Sequence, residues 1–228
     1  GDAAHIHSPA GGQGMNTGIQ DAHNLAWKLA MVIKRTATDT LLKSYHQERY
    51  RVAQHLVNGT DKAFKMITNP SPLVNWFRTN VLPHLMKTVF SFERVQSLLF
   101  HFVSHTAINY EIHYKQFNFV QHPLLKAGRR FPYFSRKLSS GKNIYDLLSP
   151  DGFQLFIFDC LDENVESNID ASIHSYRFSR DEEQELFEHY KIESGLLVLV
   201  RPDMYIACVA NEVKDINIYL QKMVIQTH

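Results

Sequence analysis

From Asn16 to Lys34 the apolar residues Ile19, Ala22, Leu25, Ala26, Leu29, Ala30 and Ile33 recur at intervals of three and four. That rhythm matches a helix with 3.6 residues per turn, so the stretch predicts a long helix with one apolar face. "RTATDT" at 35–40 interrupts it, and Asp39 or Thr40 can cap the next helix. The second helix carries Leu41, Leu42, Tyr45, Arg49, Val52, Ala53, Leu56 and Val57, and can run through Asn58-Gly59 to Met66. "NPSP" at 69–72 is a break, because proline lacks the backbone donor and restricts the residue before it. Residues 73–105 read as one or two further helices, kinked or split near Pro83, and no glycine occurs between Gly59 and Gly128. The first half is thus a glycine-rich loop followed by helices.

The pattern changes at 117–134. "QFNFVQHPLLKAGRRFPYF" has a glycine, two prolines and a basic pair, as a linker entering a new domain would. "FQLFIFDC" at 153–160 reads as a buried strand, and "GLLVLV" at 195–200 as another. "SRDEEQELFEHY" opens with Ser179 and Glu182, the spacing of a capping box, and continues as a helix. "RPDMYIACV" turns into a third strand, and "EVKDINIYLQKMV" closes with an amphipathic helix. Strand, helix, hairpin, helix is the order of a thioredoxin-like core. The fold class expected is α/β, with one region over 1–118 and a thioredoxin-like α/β domain over 125–228.

Charge and cysteine content narrow the function. With 24 basic against 23 acidic residues, the balance gives no reason to expect nucleic acid or an anionic membrane as partner. Apolar runs such as "GLLVLV" are far shorter than the ~20 residues of a membrane span. The opening residues lack the pattern of a signal peptide. Cys160 and Cys208 form no CxxC pair, which points to unlinked thiols, a reducing cytoplasmic setting and no redox role for the C-terminal domain. His101 and His105 have the i, i+4 spacing of a zinc pair, but position 102 is Phe and no third ligand is evident, so no metal is expected. Phe90, Phe92, Phe100 and Phe102 are expected to be helical core residues packing on a sheet outside this sequence.

The opening stretch, "GDAAHIHSPAGGQGMNTGIQDAHNLAWKLA", holds five of the ten glycines by residue 18. A dinucleotide cradle needs G-x-G-x-x-G directly after a buried strand. Here Gly12, Gly14 and Gly18 have the third glycine one residue late, and "HIHSPA" is no core strand. A P-loop fails as well, since no Lys-Ser or Lys-Thr closes the loop. A tight entry into the helix explains one or two of the glycines and leaves Gly1-Asp2 unexplained.

The whole stretch resembles the second flavin-binding motif of the class A flavoprotein aromatic hydroxylases, the family of p-hydroxybenzoate and phenol hydroxylases. "SYHQER" at 44–49 falls where that family has Ser-Tyr-x-x-Glu-Arg. "AGRRFPYF", "LFIF" and "GLLVLVRPDMYIACV" resemble the thioredoxin-like domain of the phenol hydroxylase branch. There Met204 stands where the branch has glycine, so a different turn type is expected.

The resemblance implies FAD as cofactor, NADH or NADPH as reductant, and O2 and an aromatic small molecule as substrates. Gly1 and Asp2 would hold the ribityl chain, and Pro9 would lie beside the flavin ring. Gly11, Gly12 and Gly14 would keep that surface free of side chains. Met15 and Asn16, at the helix start, would face the pyrimidine edge of the ring. No acid or base is assigned. The resemblance further implies that the chain is the C-terminal portion of a longer enzyme, that alone it holds FAD weakly, and that 125–228 mediates self-association. The rival expectation is a non-catalytic scaffold that kept the fold without a working flavin site.

Overall fold

The computed structural model describes residues 14–160, 162 and 164–224. In chain order these residues form helices α1 (Gly14–Ile33), α2 (Asp39–Thr68), α3 (Pro72–Asn80), α4 (Leu82–Val89), α5 (Glu93–Val103) and α6 (Glu111–Tyr114). Strands β1 (Gln154–Phe158) and β2 (His174–Phe178), helix α7 (Gln184–Tyr190), strands β3 (Leu196–Val200) and β4 (Ile206–Ala210), and helix α8 (Val213–Met223) follow. The chain divides into two compact units. Of the described residues, one holds Arg49–Ile108 with those up to His23; the other holds Asn24–Glu48 and those from Asn109.

The sheet lies in the second unit, in the order β2-β1-β3-β4. β1 pairs parallel with β2 and antiparallel with β3, and β3 pairs antiparallel with β4. β1, β3 and β4 are buried at every residue, which is why their runs are continuously apolar. β2, "HSYRF", buries only its last residue; as an edge strand of mixed polarity it carries no apolar run, and the sequence pattern missed it. Around the sheet lies an aromatic core in which Phe131 meets Phe156 at 5.1 Å and Tyr190 at 5.4 Å between ring centroids.

The segment 117–134 is a packed wall and not a linker. Phe117, Leu125, Ala127, Phe131 and Phe134 are all buried. The Gly128 N–H donates to the Ile206 carbonyl at 2.8 Å, and the Gly128 carbonyl accepts from the Tyr110 N–H at 2.7 Å. Gly128 has φ +87, and a Cβ there would sit 2.6 Å from the Glu111 nitrogen, so only glycine fits.

Helix ends also depart from expectation. Ser179 and Glu182 form no capping box, because α7 starts at Gln184; the Glu183 carboxylate instead accepts from the Ser139 N–H and hydroxyl. Helix α2 begins at Asp39 itself, one residue earlier than a cap at that position would give. Both α1 and α7 end in Schellman geometry. Thr36 N–H donates to the Met31 carbonyl and Arg35 N–H to that of Val32; Ile192 N–H donates to Phe187 and Lys191 N–H to Glu188. The left-handed residues are Arg35 and Lys191, both at φ 59, where glycine is the usual signal. Their cationic side chains stand at the negative ends of the two helix dipoles.

In the first unit, α2 runs through Asn58-Gly59 as expected, and the break before Leu82 falls beside Pro83. A second break at 90–92 makes three helices where one or two were expected. α3 and α4 bury none of their residues. Phe90, Phe92 and Phe100 are exposed, at 36%, 60% and 66%, so among the described residues they form no core. His105 lies beyond the end of α5, buried and left-handed at φ 57, so it shares no helix face with His101. Among the described residues no group of three metal-ligating side chains converges, and no helix is long and apolar enough to cross a membrane.

Candidate functional site

Of the residues expected to hold a flavin, Gly1, Asp2, Pro9, Gly11 and Gly12 lie outside the described residues. Gly14, Met15 and Asn16 form the first turn of α1, with Met15 74% exposed and its two neighbours half-buried. The opening N–H groups of a helix have no partner within it, and the dipole gives that end partial positive charge. The first turn holds no acidic residue that would compete for them. This donor set fits the electron-rich pyrimidine edge of a flavin ring.

The helix that begins there turns its polar side inward. Thr17, Asp21, Asn24 and Lys28 are buried, whereas Ile19, Leu29 and Ile33 are 60%, 42% and 71% exposed. The expected apolar face exists, but among the described residues it is the uncovered one. The buried polar set runs at steps of four, three and four residues, the same helical rhythm as the apolar set. That rhythm was visible in the sequence.

In the first unit, Asp21 meets Arg49 of α2. The Arg49 Nε donates to Asp21 Oδ1 at 2.6 Å, and both side chains are at most 5% exposed. Nη2 donates to the Thr17 carbonyl at 3.4 Å, and Nη1 to Gln20 Oε1 at 3.5 Å.

The second unit has a larger network centred on Arg201, whose side chain is completely buried. Nη1 and Nη2 donate to the two Glu48 oxygens at 2.8 and 2.9 Å, a bidentate fork. Nε and Nη2 donate to the Asp203 carboxylate at 2.9 and 2.5 Å. The Tyr114 hydroxyl donates to Glu48 at 2.5 Å and accepts from Arg201 at 2.8 Å. From α1, Lys28 donates to Glu48 at 3.0 Å and to Asn24 Oδ1 at 2.9 Å, while Asn24 Nδ2 donates to Glu48 at 2.7 Å. The rings of Trp27, Tyr110, Tyr114 and Tyr205 lie 5.2–5.7 Å from the Arg201 guanidinium carbon.

Burial alone would raise the Glu48 carboxyl, but the charges of Arg201 and Lys28 and the hydrogen bonds from Arg201 and Tyr114 outweigh it and hold it well below the usual range. Burial, joined by repulsion from Arg201, pulls the Lys28 ammonium down to about 8, against the pull of Glu48 and Asp203. Burial pushes the Tyr114 hydroxyl up, reinforced by Glu48. These groups hold charge and shape, and none of them is poised as an acid or base on an open surface.

Glu48 and Arg49 lie inside "SYHQER", and Arg201 and Asp203 inside "RPDM", so the stretches that carried the resemblance also build the buried networks. The turn at 201–204 closes with the Met204 N–H on the Arg201 carbonyl at 2.9 Å. Met204 takes φ 66, in the left-handed region that glycine favours.

Residues 1–60 match the family profile described as FAD binding domain. The chain is 32% identical over 210 residues to the aromatic compound monooxygenase YhjG of Bacillus subtilis, covering 91% of this chain and 38% of that protein. It is 57% identical over 67 residues to pentachlorophenol 4-monooxygenase of Sphingobium chlorophenolicum, covering 29% of this chain and 12% of that one. Its fold matches the OxyS anhydrotetracycline hydroxylase of Streptomyces rimosus with TM-score 0.68 and 26% identity, over 96% of this chain and 42% of the other. The chain thus spans about two fifths of the length of relatives that it matches end to end. On these likenesses the chain belongs to the class A FAD-dependent aromatic hydroxylase family.

Proposed function

We propose that this chain works as part of an FAD-dependent monooxygenase that hydroxylates an aromatic substrate with O2 and NADH or NADPH. The observation that carries this reading is the start of α1: a first turn free of acidic residues, half-buried at Gly14 and Asn16, within the segment that matches the FAD binding domain profile. Reduced by NAD(P)H, FAD supplies the oxygen activation. The protein's share is to hold and orient. Gly1 and Asp2 would bind the ribityl hydroxyls, the carboxylate through charge-assisted hydrogen bonds. Pro9, Gly11, Gly12 and Gly14 would let the flat ring lie against the backbone. The Met15 and Asn16 N–H groups would stabilise negative charge on the ring's pyrimidine edge, an effect of about 0.3–2 kcal/mol. The scaffold alternative is not favoured, since the relatives compared are named as monooxygenases or hydroxylases.

Residues 1–118 would then belong to the flavin domain, and 125–228 would form a thioredoxin-like domain. Supporting the latter are the strand order β2-β1-β3-β4, a parallel β1–β2 pair, the β3–β4 hairpin and the closing helix α8. Cys208 is buried and Cys160 half-buried, in keeping with a packing or dimerisation role for this domain.

The test is made on the holoenzyme. Asp2→Ala should raise the FAD dissociation constant at least tenfold, and NAD(P)H oxidation should couple to hydroxylation of a phenolic ring. A holoenzyme preparation that neither retains flavin nor consumes O2 in the presence of NAD(P)H and aromatic compounds would refute the proposal.

A further inference from the structure

We propose that Asp21 and Arg49 are positioning residues for the flavin, fixing the first turns of α1 in the register that its free N–H groups need. The inference rests on the FAD reading above and adds residues that touch no cofactor themselves.

Arg49 grips α1 at three points on adjacent turns: the Asp21 carboxylate, the Thr17 carbonyl and the Gln20 amide oxygen. Thr17 is three residues, less than one turn, from Gly14, where the helix begins. The opposite side of this stretch provides no comparable hold. Met15 and Ile19 are 74% and 60% exposed, and a Cβ built on Gly18 would meet nothing within 4 Å. Arg49 therefore holds the rotation and axial position of the helix start at its first two turns. A slip of one residue moves the opening N–H groups by about 1.5 Å. Ligand-binding groups need to be held to within about 0.5 Å.

The energetics favour positioning over simple stabilisation. A buried ion pair replaced as a unit by apolar side chains of similar volume is often neutral or stabilising, so joint replacement separates positioning from stability. Apolar contacts would also permit sliding that a directional fork on a carboxylate and a carbonyl forbids. The pair costs desolvation and returns register.

The experiment uses the holoenzyme and three variants: Asp21→Asn, Arg49→Lys, and Asp21→Leu combined with Arg49→Met. For each, the FAD dissociation constant, the visible spectrum and reduction potential of bound flavin, and the thermal midpoint are measured. The expected result for the apolar pair is a midpoint close to the parent's, with FAD binding weakened at least tenfold, a lowered potential and an altered flavin spectrum. Arg49→Lys keeps the charge but loses the fork, and should weaken FAD binding roughly threefold or more with the same spectral change. Asp21→Asn should follow it. If the midpoints fall while affinity, spectrum and potential stay at the parent's values, the pair is only structural and the proposal is overturned. Should the apolar pair not fold, Arg49→Lys decides by the same readouts. A parent that binds no FAD overturns the flavin reading and this inference with it, whereas a flavin-bound parent with unmoved variants overturns this inference alone.

Discussion

β1, β3 and β4 bury every residue, while α3 and α4 bury none, although both regions are rich in large apolar side chains. Phe156 and Leu197 are fully enclosed, whereas Leu73 and Trp76 are 75% and 58% exposed. Hydrophobic content alone does not make a core. β1 and β3 have strands paired on both edges and β4 on one, with side chains packed over them, whereas an amphipathic helix needs something laid against its stripe. The same contrast runs through the polar groups. Arg201 satisfies its donors inside a closed network, a far more exacting arrangement than a solvated surface charge.

The largest expected effect comes from opening that network. Arg201→Ala leaves Asp203 buried without its cation and Glu48 with Lys28 alone, and urea denaturation should show a loss of about 3–5 kcal/mol. A loss under 1 kcal/mol would mean that the network is not held as described.

Next, Phe156→Ala should destabilise by about 3–5 kcal/mol by the same measurement, whereas Trp76→Ala should stay within about 0.5 kcal/mol. Equal losses at the two sites would erase the contrast between sheet and helices.

A smaller effect is predicted with pH. The Lys28 ammonium titrates near 8 when folded, against an ordinary 10.5. The unfolded chain therefore binds more protons at this site between these values, and the Lys28 contribution to stability rises as pH increases. From pH 8 to 10 it should grow by about 2 kcal/mol, read as the difference between the parent and Lys28→Met unfolding curves. From about pH 9 other groups pull the opposite way in both proteins, because burial raises the folded-state pKa of Cys208 from an ordinary 9.0 and of Tyr114, Tyr190, Tyr205 and Tyr219 from an ordinary 10.0, so the unfolded chain loses those protons first. A difference between the two proteins that stays flat from 8 to 10 would contradict the assignment.

The smallest concerns the hairpin turn. Met204→Gly removes a left-handed side chain at some cost in unfolded-chain entropy, and should stabilise by about 0.5–1 kcal/mol, read from the same unfolding curves.

Much of the architecture could be read from local pattern. Continuous apolar runs marked β1, β3 and β4, because burial on both faces demands such runs. The 3.6-residue rhythm marked α1 and α2, and the glycine-rich motif pointed to a flavin before any coordinates. What could not be read had non-local causes. β2 is an edge strand whose pairing with β1, and not its own composition, makes it a strand. The Schellman ends at Arg35 and Lys191 lack glycine, and the Ser179–Glu182 spacing lost to a helix that starts later.

Periodicity and motif, then, were enough to establish helices, buried strands and family, since these depend on the order of side chains along the chain. Which face of α1 turns inward was decided by the folded molecule. Two stripes, one apolar and one polar, share the same helical spacing, and the carboxylates and arginines that select the polar one arrive from positions up to 179 residues away. Hydrogen bonding at that separation depends on three-dimensional proximity, which no local window contains.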